Sequence, residues 1–539
     1  MNKKLVYQLF LYFCFYLGLV LIPGCDQHLS DDYYKPVPTE KLREINTLIL
    51  PEAPEEDIET EVNEPAPAEL ELLLEECRAL TLENNLDLKV QLINPVISAE
   101  NINQQEAQFE SVFNVNASFS KSDTPTSSTL TGSQSENSNV DYGIQIPLRT
   151  GGTINFNLND SRGKTDNIFS TLNPYYSSDS SFSISQPLLR NAGTRINTYS
   201  IRIAQANNQI TNAATKLEVI RVIASVDRVY WRFYAARREL EVRKQQYDLA
   251  EALWEQSKRF VDAGEKAQIE VIRSEAGVAQ QLESIIIAEN NVRDRERELK
   301  QTLNKSNIQM NSPTVLIPAT VPDPVRYELD KTKLLDIAMQ ERMELLELEL
   351  QIAQDAMSLD NSKNQLLPLV TMDYRYNING LGATHEDSFD LLFDKNFEDH
   401  RLGLQLMVPL GNQSAKSQVR QQLYQRRQRL ATRDSRVASI EYEVLNAIDQ
   451  VEANWSRISA SRLSAILDGQ LYETERRQYE LGLVTSTDVL QAQINYANAQ
   501  SAEILALVDY QISLVDLAYA TGTILGSAKV RWEPLDNLE

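Results

Sequence analysis

Two stretches fix the outline of this chain: Phe260-Val261-Asp262-Ala263-Gly264-Glu265-Lys266-Ala267-Gln268-Ile269-Glu270 and Tyr479-Glu480-Leu481-Gly482-Leu483-Val484-Thr485-Ser486-Thr487-Asp488. Each is a glycine-centred break in a long run of helical periodicity. Glycine just past such a run reads as a helix C-terminus, and an acid a turn later favours the start of a new helix. Each break is therefore the bend of an antiparallel helical hairpin, and the chain carries two.

The arms of these hairpins are long. Val219, Val222, Val226, Val229, Phe233, Ala236 and Leu240 advance by three and four, as in coiled-coil packing. From Ile201 to Val261 the helix spans about 60 residues, or ~90 Å at 1.5 Å per residue. Its return arm runs from about Ile269 to Leu303. In the second half the long arm runs from about Ser414 to Tyr479, stepping Val444, Ile448, Val451, Trp455, Ile458. Its return includes Leu505, Val508, Ile512, Val515 and Tyr519.

Each hairpin is preceded by shorter helices and strands. Leu70, Leu73, Leu74, Leu80, Leu82, Leu86 and Leu88 recur at helical spacing, Pro95 interrupts, and a second helix is expected from Val96 to Gln108. From Phe113 to Ser120, odd positions are apolar and even ones polar, the period of a strand with two unlike faces. Tyr142/Ile144/Ile146/Leu148, Ile154/Phe156/Leu158 and Phe182/Ile184 repeat this, giving four strands. Arg149-Thr150-Gly151-Gly152 is a tight turn, whereas the connections at about 121–139 and 160–179 are long and rich in Ser, Thr and Asn. Short turns at one end and long polar loops at the other are the habit of outer-membrane strands.

The second half repeats the plan. Asp87-Leu88 matches Glu344-Leu345, Ala99 matches Ala356, Phe109 matches Leu366 and Val112 matches Leu369, all at one offset. Two further strands, Val370/Met372/Tyr374/Tyr376/Ile378 and Leu402/Leu404/Leu406/Val408/Leu410, are joined by a long polar loop. The expected organisation is a first repeat over 69–310, a proline-punctuated linker over 311–328, a second repeat over 329–525 and a tail over 526–539.

Residues 1–24 read as an export signal: Lys3 and Lys4 precede an apolar run from Leu5 to Ile22, ending at Ile22-Pro23-Gly24-Cys25. A small residue directly before cysteine resembles a bacterial lipobox, which implies cleavage before Cys25 and acylation of its thiol. The alternative is an uncleaved membrane anchor. Residues 25–68, acidic and proline-rich, read as a flexible tether. Of the three cysteines, Cys14 leaves with the signal and Cys25 takes lipid. Cys77 remains alone and is expected to pack on a helix face.

A formal charge of −24 excludes tight nucleic-acid binding, because phosphates are repelled along most surfaces. No phosphate loop, dinucleotide fingerprint, C-x-x-C or H-E-x-x-H is present. His28, His385 and His400 are too scattered for a metal site or a triad, and Glu75/Glu76 read as a solvated helix face. No enzyme, cofactor or metal is expected.

The chain resembles the TolC family of outer-membrane channels, in its lipoprotein subgroup. The resemblance rests on the duplicated plan, the lipobox, Ser185-Gln186-Pro187-Leu188-Leu189-Arg190, Val408-Pro409-Leu410-Gly411-Asn412 and Leu481-Gly482-Leu483-Val484-Thr485-Ser486-Thr487-Asp488-Val489-Leu490. It implies a mainly α fold with β: three protomers pool their strands into an outer-membrane β-barrel, continuous with a periplasmic α-helical barrel belted by the shorter helices. Better-known members have four strands per protomer. Here four lie in the first half alone, so the Gly151-Gly152 hairpin either enlarges the barrel or lies outside it.

The resemblance implies a passive exit duct of a tripartite efflux or type I secretion system. Its partners are a homotrimer's two other copies, a periplasmic adaptor, an inner-membrane pump of the RND or ABC type, and outer-membrane lipid. Ala263, Gly264 and Glu265, with Leu481, Gly482, Leu483 and Val484, are the implied adaptor contacts. Asp488 and its counterpart Glu270 are the implied pore constriction, although Gln491 stands where some members carry a second acid. For Val484 and Leu483 the alternative is that they staple the turn internally, and for both acids that they cap helices. Asp26 after the lipidated cysteine favours inner-membrane retention in some bacteria, while the strands favour the outer membrane. The competing function is a structural lipoprotein whose coiled coils brace the envelope.

Overall fold

The computed structural model describes residues 69–127, 132–305, 308 and 310–531. The export signal, Cys25, Asp26, His28 and the tether to residue 68 lie outside the described residues. In chain order the elements are β1 (Glu69–Leu72), α1 (Leu74–Asn84), α2 (Leu86–Glu106), β2 (Val112–Asp123), β3 (Gln134–Pro147), β4 (Thr153–Thr165), β5 (Tyr175–Pro187), the single turn α3 (Thr194–Asn197), α4 (Tyr199–Asp262) and α5 (Gln268–Leu303). The second half adds β6 (Val315–Pro318), α6 (Lys331–Glu341), α7 (Met343–Asn364), β7 (Leu369–Gly382), α8 (His385–Phe393), β8 (Glu398–Met407), α9 (Gln413–Glu480), α10 (Ser486–Ala520) and α11 (Ile524–Ser527).

Helices α4 and α9 run for 64 and 68 residues, about 96 and 102 Å at ~1.5 Å per residue. Neither contains proline, and the sole glycine in them is Gly469. A seven-residue repeat of buried positions runs along α9 and along α10. Along α9 these are Val444, Val451, Ile458, Ala465, Tyr472 and Tyr479, each seven residues from the last. Along α10 they are Ala492, Ala499, Ala506, Ser513 and Ala520. A strict seven-residue repeat keeps one seam facing its partner over the whole length of a helix pair. The small residues on α10 let the backbones approach. At Gly277 on α5, an added Cβ would lie 2.6 Å from Leu490 of α10. The four long helices form one layer in the order α5, α4, α10, α9.

The shorter helices pack across the middle of this layer. Leu72, Cys77 and Leu316 are buried with Tyr230, Trp231 and Phe233 of α4, while Ala338 and Leu345 are buried with Ile440, Val444 and Ile448 of α9. An arginine ties down each group. Arg78 donates twice to Asp227 at 2.7 Å, and Arg342 donates to Glu443 at 2.7 Å, to Glu344 at 2.8 Å and to the Ala520 carbonyl at 3.1 Å. Cys77 is fully buried, and that burial, aided by Glu76 and Asp227, pushes its thiol up to about 12, far from a reactive thiolate.

Three sequence expectations for this region change. Leu70 belongs to β1, which pairs in parallel with β6 in the proline-rich link, with Leu70 opposite Leu316. The segment Glu69-Leu70-Glu71-Leu72 satisfies a two-residue period as well as a helical one, and only the distant strand decides between them. Pro95 lies inside α2 with its residue buried, and the helix break falls instead at Asn85, whose Oδ1 accepts from the Leu88 N–H at 2.9 Å. The polar loop after β7 contains α8, started by Thr384 and Asp387, which cap each other.

The six longer strands form one antiparallel sheet in the order β2-β3-β4-β5-β7-β8. The Gly151-Gly152 hairpin is therefore an integral part of this sheet. The strands also reach into segments read as loops, since β2 continues to Asp123 and β4 to Thr165. The register aligns Phe113, Ile144, Phe156, Phe182 and Tyr376 in one row and Ile146, Ile154, Ile184, Tyr374 and Leu402 in another, all on one face. The opposite face carries Asn116, Asp141, Asn159, Asp179 and Asn379 in one row. Helix α8 packs on the apolar face at its loop end, where Ser178 bonds Ser388 and Asp160 meets His385 at 3.2 Å. The polar residues that interrupt the apolar rows there are thus covered by α8.

Candidate functional site at the hairpin tips

The two bends close by the same backbone device. The N–H of Gly264 donates to Val261 at 2.9 Å and that of Glu265 to Phe260 at 2.9 Å. In the second bend Gly482 donates to Tyr479 at 3.0 Å and Leu483 to Gln478 at 2.9 Å. This paired closure requires a left-handed residue after the helix, and Gly264 and Gly482 have φ of 77° and 76°. A side chain there would meet open space, so backbone conformation alone makes glycine necessary.

Beyond the glycine the two bends differ. In the second bend Asp488 returns to the start of its own helix, where its Oδ2 accepts from the Thr485 N–H at 2.9 Å and from the Thr485 hydroxyl at 2.7 Å. The Thr485 hydroxyl, its N–H and the neighbouring Arg273 hold this exposed carboxyl below the ordinary aspartate range. Glu270, its counterpart in the first bend, does something else. It is 9% exposed and crosses to the other hairpin, where its Oε2 accepts from the Ser486 N–H at 2.8 Å; its Oε1 accepts from Arg273 at 2.8 Å. Burial alone would raise its carboxyl, but the Ser486 N–H and Arg273 outweigh this and hold it low.

A second strut runs the same way. Lys266 donates to the Tyr479 carbonyl at 2.7 Å, and its ammonium lies over the rings of Tyr479 and Phe260. Tyr479 is fully buried, its hydroxyl 2.7 Å from that of Ser257, amid Leu253, Tyr472, Val489 and Ala492, with Val484 packed alongside. Further up, Gln493 donates to the Gln246 carbonyl at 2.6 Å. The tips of the two hairpins are thus locked to each other by buried polar bonds and one aromatic plug.

The structure brings Ala263, Gly264, Glu265, Leu481, Gly482 and Leu483 to one exposed end, with Leu481 and Leu483 at 74% and 71% exposure. Val484 is half-buried against the tip core. Sequence reading missed Lys266, Ser257 and Tyr479. An aromatic within one turn before each glycine was the available signal, but only packing shows that Tyr479 is central and Phe260 peripheral to it.

The Glu270 bridge predicts a pH response. A carboxyl whose folded pKa is depressed contributes stability above its unfolded value and loses it as pH falls through the folded value. Protection of the Ser486 amide, corrected for intrinsic exchange, is expected to hold from neutral pH down through the ordinary glutamate range and to fall only below it. In Glu270→Gln that fall should vanish; unchanged protection of the wild type down to pH 3 would count against the bridge.

Residues 334–523 match the family model described as outer membrane efflux protein. Outer membrane protein TolC of Vibrio cholerae serotype O1 is 24% identical over 348 residues, covering 62% of this chain and 74% of its own length. The Campylobacter jejuni CmeC outer membrane channel superposes with a TM-score of 0.61 at 15% identity, over 84% of this chain and 86% of that one. The Neisseria gonorrhoeae MtrE outer membrane channel, solved in an open state, gives 0.59 at 15% identity, over 84% and 89%. At these identities the structural likeness speaks to fold, which is shared along nearly the whole described length.

Proposed function

We propose that this chain, whose residues 334–523 match the outer membrane efflux protein family model, is the trimeric exit duct of a tripartite efflux or type I secretion system. It is a protein of the outer membrane that extends into the periplasm. The observation carrying the proposal is one continuous body in which a sheet with an apolar and a polar face leads into helices about 100 Å long. The apolar face suits lipid and the polar face a wet interior. No described helix is long and apolar enough to cross a membrane.

Trimer formation is supported by the outer helices of the layer. α9 exposes Tyr442, Leu445, Leu463, Ile466 and Leu471, and α5 exposes Ile272, Leu282, Ile286 and Ile287. Apolar seams of this length on both flanks suit the α5 of one protomer against the α9 of the next. Acylated Cys25 would add a lipid anchor. In the assembled tunnel Leu481, Gly482, Leu483, Val484, Ala263, Gly264 and Glu265 would present a ring to a periplasmic adaptor, which couples the duct to an inner-membrane pump.

Asp488 would line the narrow entrance as the exposed acid, with Glu270 behind it as the strut that joins the two hairpins at Ser486. Three carboxylates about an axis favour cations. The purified protein is expected to be a trimer in detergent and to conduct in planar bilayers. Asp488→Ala should lower its cation preference several-fold. A monomer or a solid elongated dimer without conductance would instead support the envelope-bracing reading, and unchanged selectivity in Asp488→Ala would remove that residue from the entrance.

A further inference from the structure

Among the described residues, β2 and β8 are the two ends of the six-stranded sheet, and each has one strand neighbour. Both edges are exposed along almost their whole length, over 12 residues in β2 and 10 in β8. Both carry the lipid-facing pattern out to the edge: Phe113, Val115 and Phe119 on one, Leu402, Leu404 and Leu406 on the other. In lipid such edges cannot stand open, because an unpaired backbone N–H or C=O there has no water to receive it. Water-soluble proteins blunt an edge with lysines, prolines or a covering element, and these apolar stretches have none.

We propose that these edges seat second copies of this chain, β2 of one protomer against β8 of the next, so that three copies close an eighteen-stranded barrel with the Gly151-Gly152 hairpin built into its wall. The inference rests on the trimeric-duct reading and specifies its outer mouth. The chain direction fits. Successive strands of the sheet are antiparallel from β2 through β8, so the first and last run oppositely and a β8–β2 junction continues the alternation. Lengths fit too, since both edge strands start or end beside the long-helix domain, β2 at Val112 after α2 and β8 at Met407 before α9. The apolar faces of β2 and β8 then lie side by side, so that the lipid-facing band continues from one copy to the next.

The consequence is width. With strands ~4.8 Å apart and tilted by about 40°, eighteen strands give a backbone diameter of about 36 Å, against about 24 Å for twelve. The polar face, which carries Asn116, Asp141, Asn159, Asp179 and Asn379, would line this wider mouth. Such a mouth suits bulky or partly folded cargo leaving the duct.

Two measurements test this in the assembled protein. Cysteine pairs joining Asn114, Asn116 or Ser118 of β2 to Arg401, Gly403 or Gln405 of β8 should link neighbouring protomers into covalent dimers and trimers. Pairs joining Asn116 to Ser181 or Ser183 of β5 should not form, because β3 and β4 lie between. Separately, removing residues 134–165 leaves β2 and β5 joined by their original outer loops. This variant should form a trimer whose polymer-exclusion radius, probed with polyethylene glycols from the extracellular side, falls by about a third. A conducting wild-type trimer with β2–β5 links, or without β2–β8 links, overturns the eighteen-stranded barrel and leaves the duct standing. So does an exclusion radius unchanged by the deletion. Absence of any trimer or conductance in the wild type overturns both.

Discussion

Leu483→Asp is expected to abolish coupled export while leaving the trimer, the barrel and the conductance of the isolated duct intact. Leu483 is 71% exposed at the outermost point of the second bend and belongs to none of the buried clusters. Its N–H closes the bend to the Gln478 carbonyl, which any residue can do. Its side chain therefore contributes little to folding, and the proposed adaptor contact is what would account for a solvent-facing leucine there. Burying a leucine in a partner contributes about 2 kcal/mol. Forcing an unpaired carboxylate into the same contact costs more. Adaptor affinity should drop ~100-fold or more, with Leu483→Met close to wild type. The checks are cross-linking of the adaptor to the tip and drug or substrate export in cells. Export and cross-linking at wild-type levels would show that the tip contacts lie elsewhere.

The second large effect is expected from Tyr479→Ala. The side chain is fully buried, bonds Ser257 through its hydroxyl, and fills the space between the hairpins beside Leu253 and Tyr472. Truncating a buried aromatic to alanine costs about 4 kcal/mol, or roughly 1000-fold in a local opening equilibrium. The loss should stay local, because the heptad seams above the tip do not use this residue. Amide exchange should accelerate in 478–490 and 257–266 while the central helices around Tyr230 and Ile448 remain protected. The duct itself should leak, with more frequent and larger openings in planar bilayers. Tyr479→Phe, which keeps the ring and loses one hydrogen bond, should recover most of the protection. Uniform destabilisation of the whole chain, or no change at the tip, would show that the plug is not what closes it.

These two residues divide the bend's work. Leu483 points away from the fold and Tyr479 into it, although they stand four positions apart in one glycine-centred segment. Val484, read with Leu483 as a contact or a staple, leans toward the staple by packing on the tip core. Glu270 and Asp488 diverge in the same manner. Each stands six residues after its glycine, yet Asp488 caps its own helix and Glu270 caps that of the other hairpin.

Local chemistry wrote much of this protein into its sequence. Glycines that must adopt positive φ, periods of seven and of two, and a duplicated order of elements determined the hairpins, the six long strands and their two faces. Each of those signals acts between residues close in the chain, where spacing and geometry are nearly the same thing. Tertiary structure alone decided the rest: that Glu69–Leu72 is a strand, that the Gly151-Gly152 hairpin lies within the sheet, that α8 covers Asp160 and Ser178, and that Glu270 and Lys266 bind the opposite hairpin. In each of these the deciding partner lies in a distant segment, and its contribution in hydrogen bonds and buried surface is invisible to any local pattern.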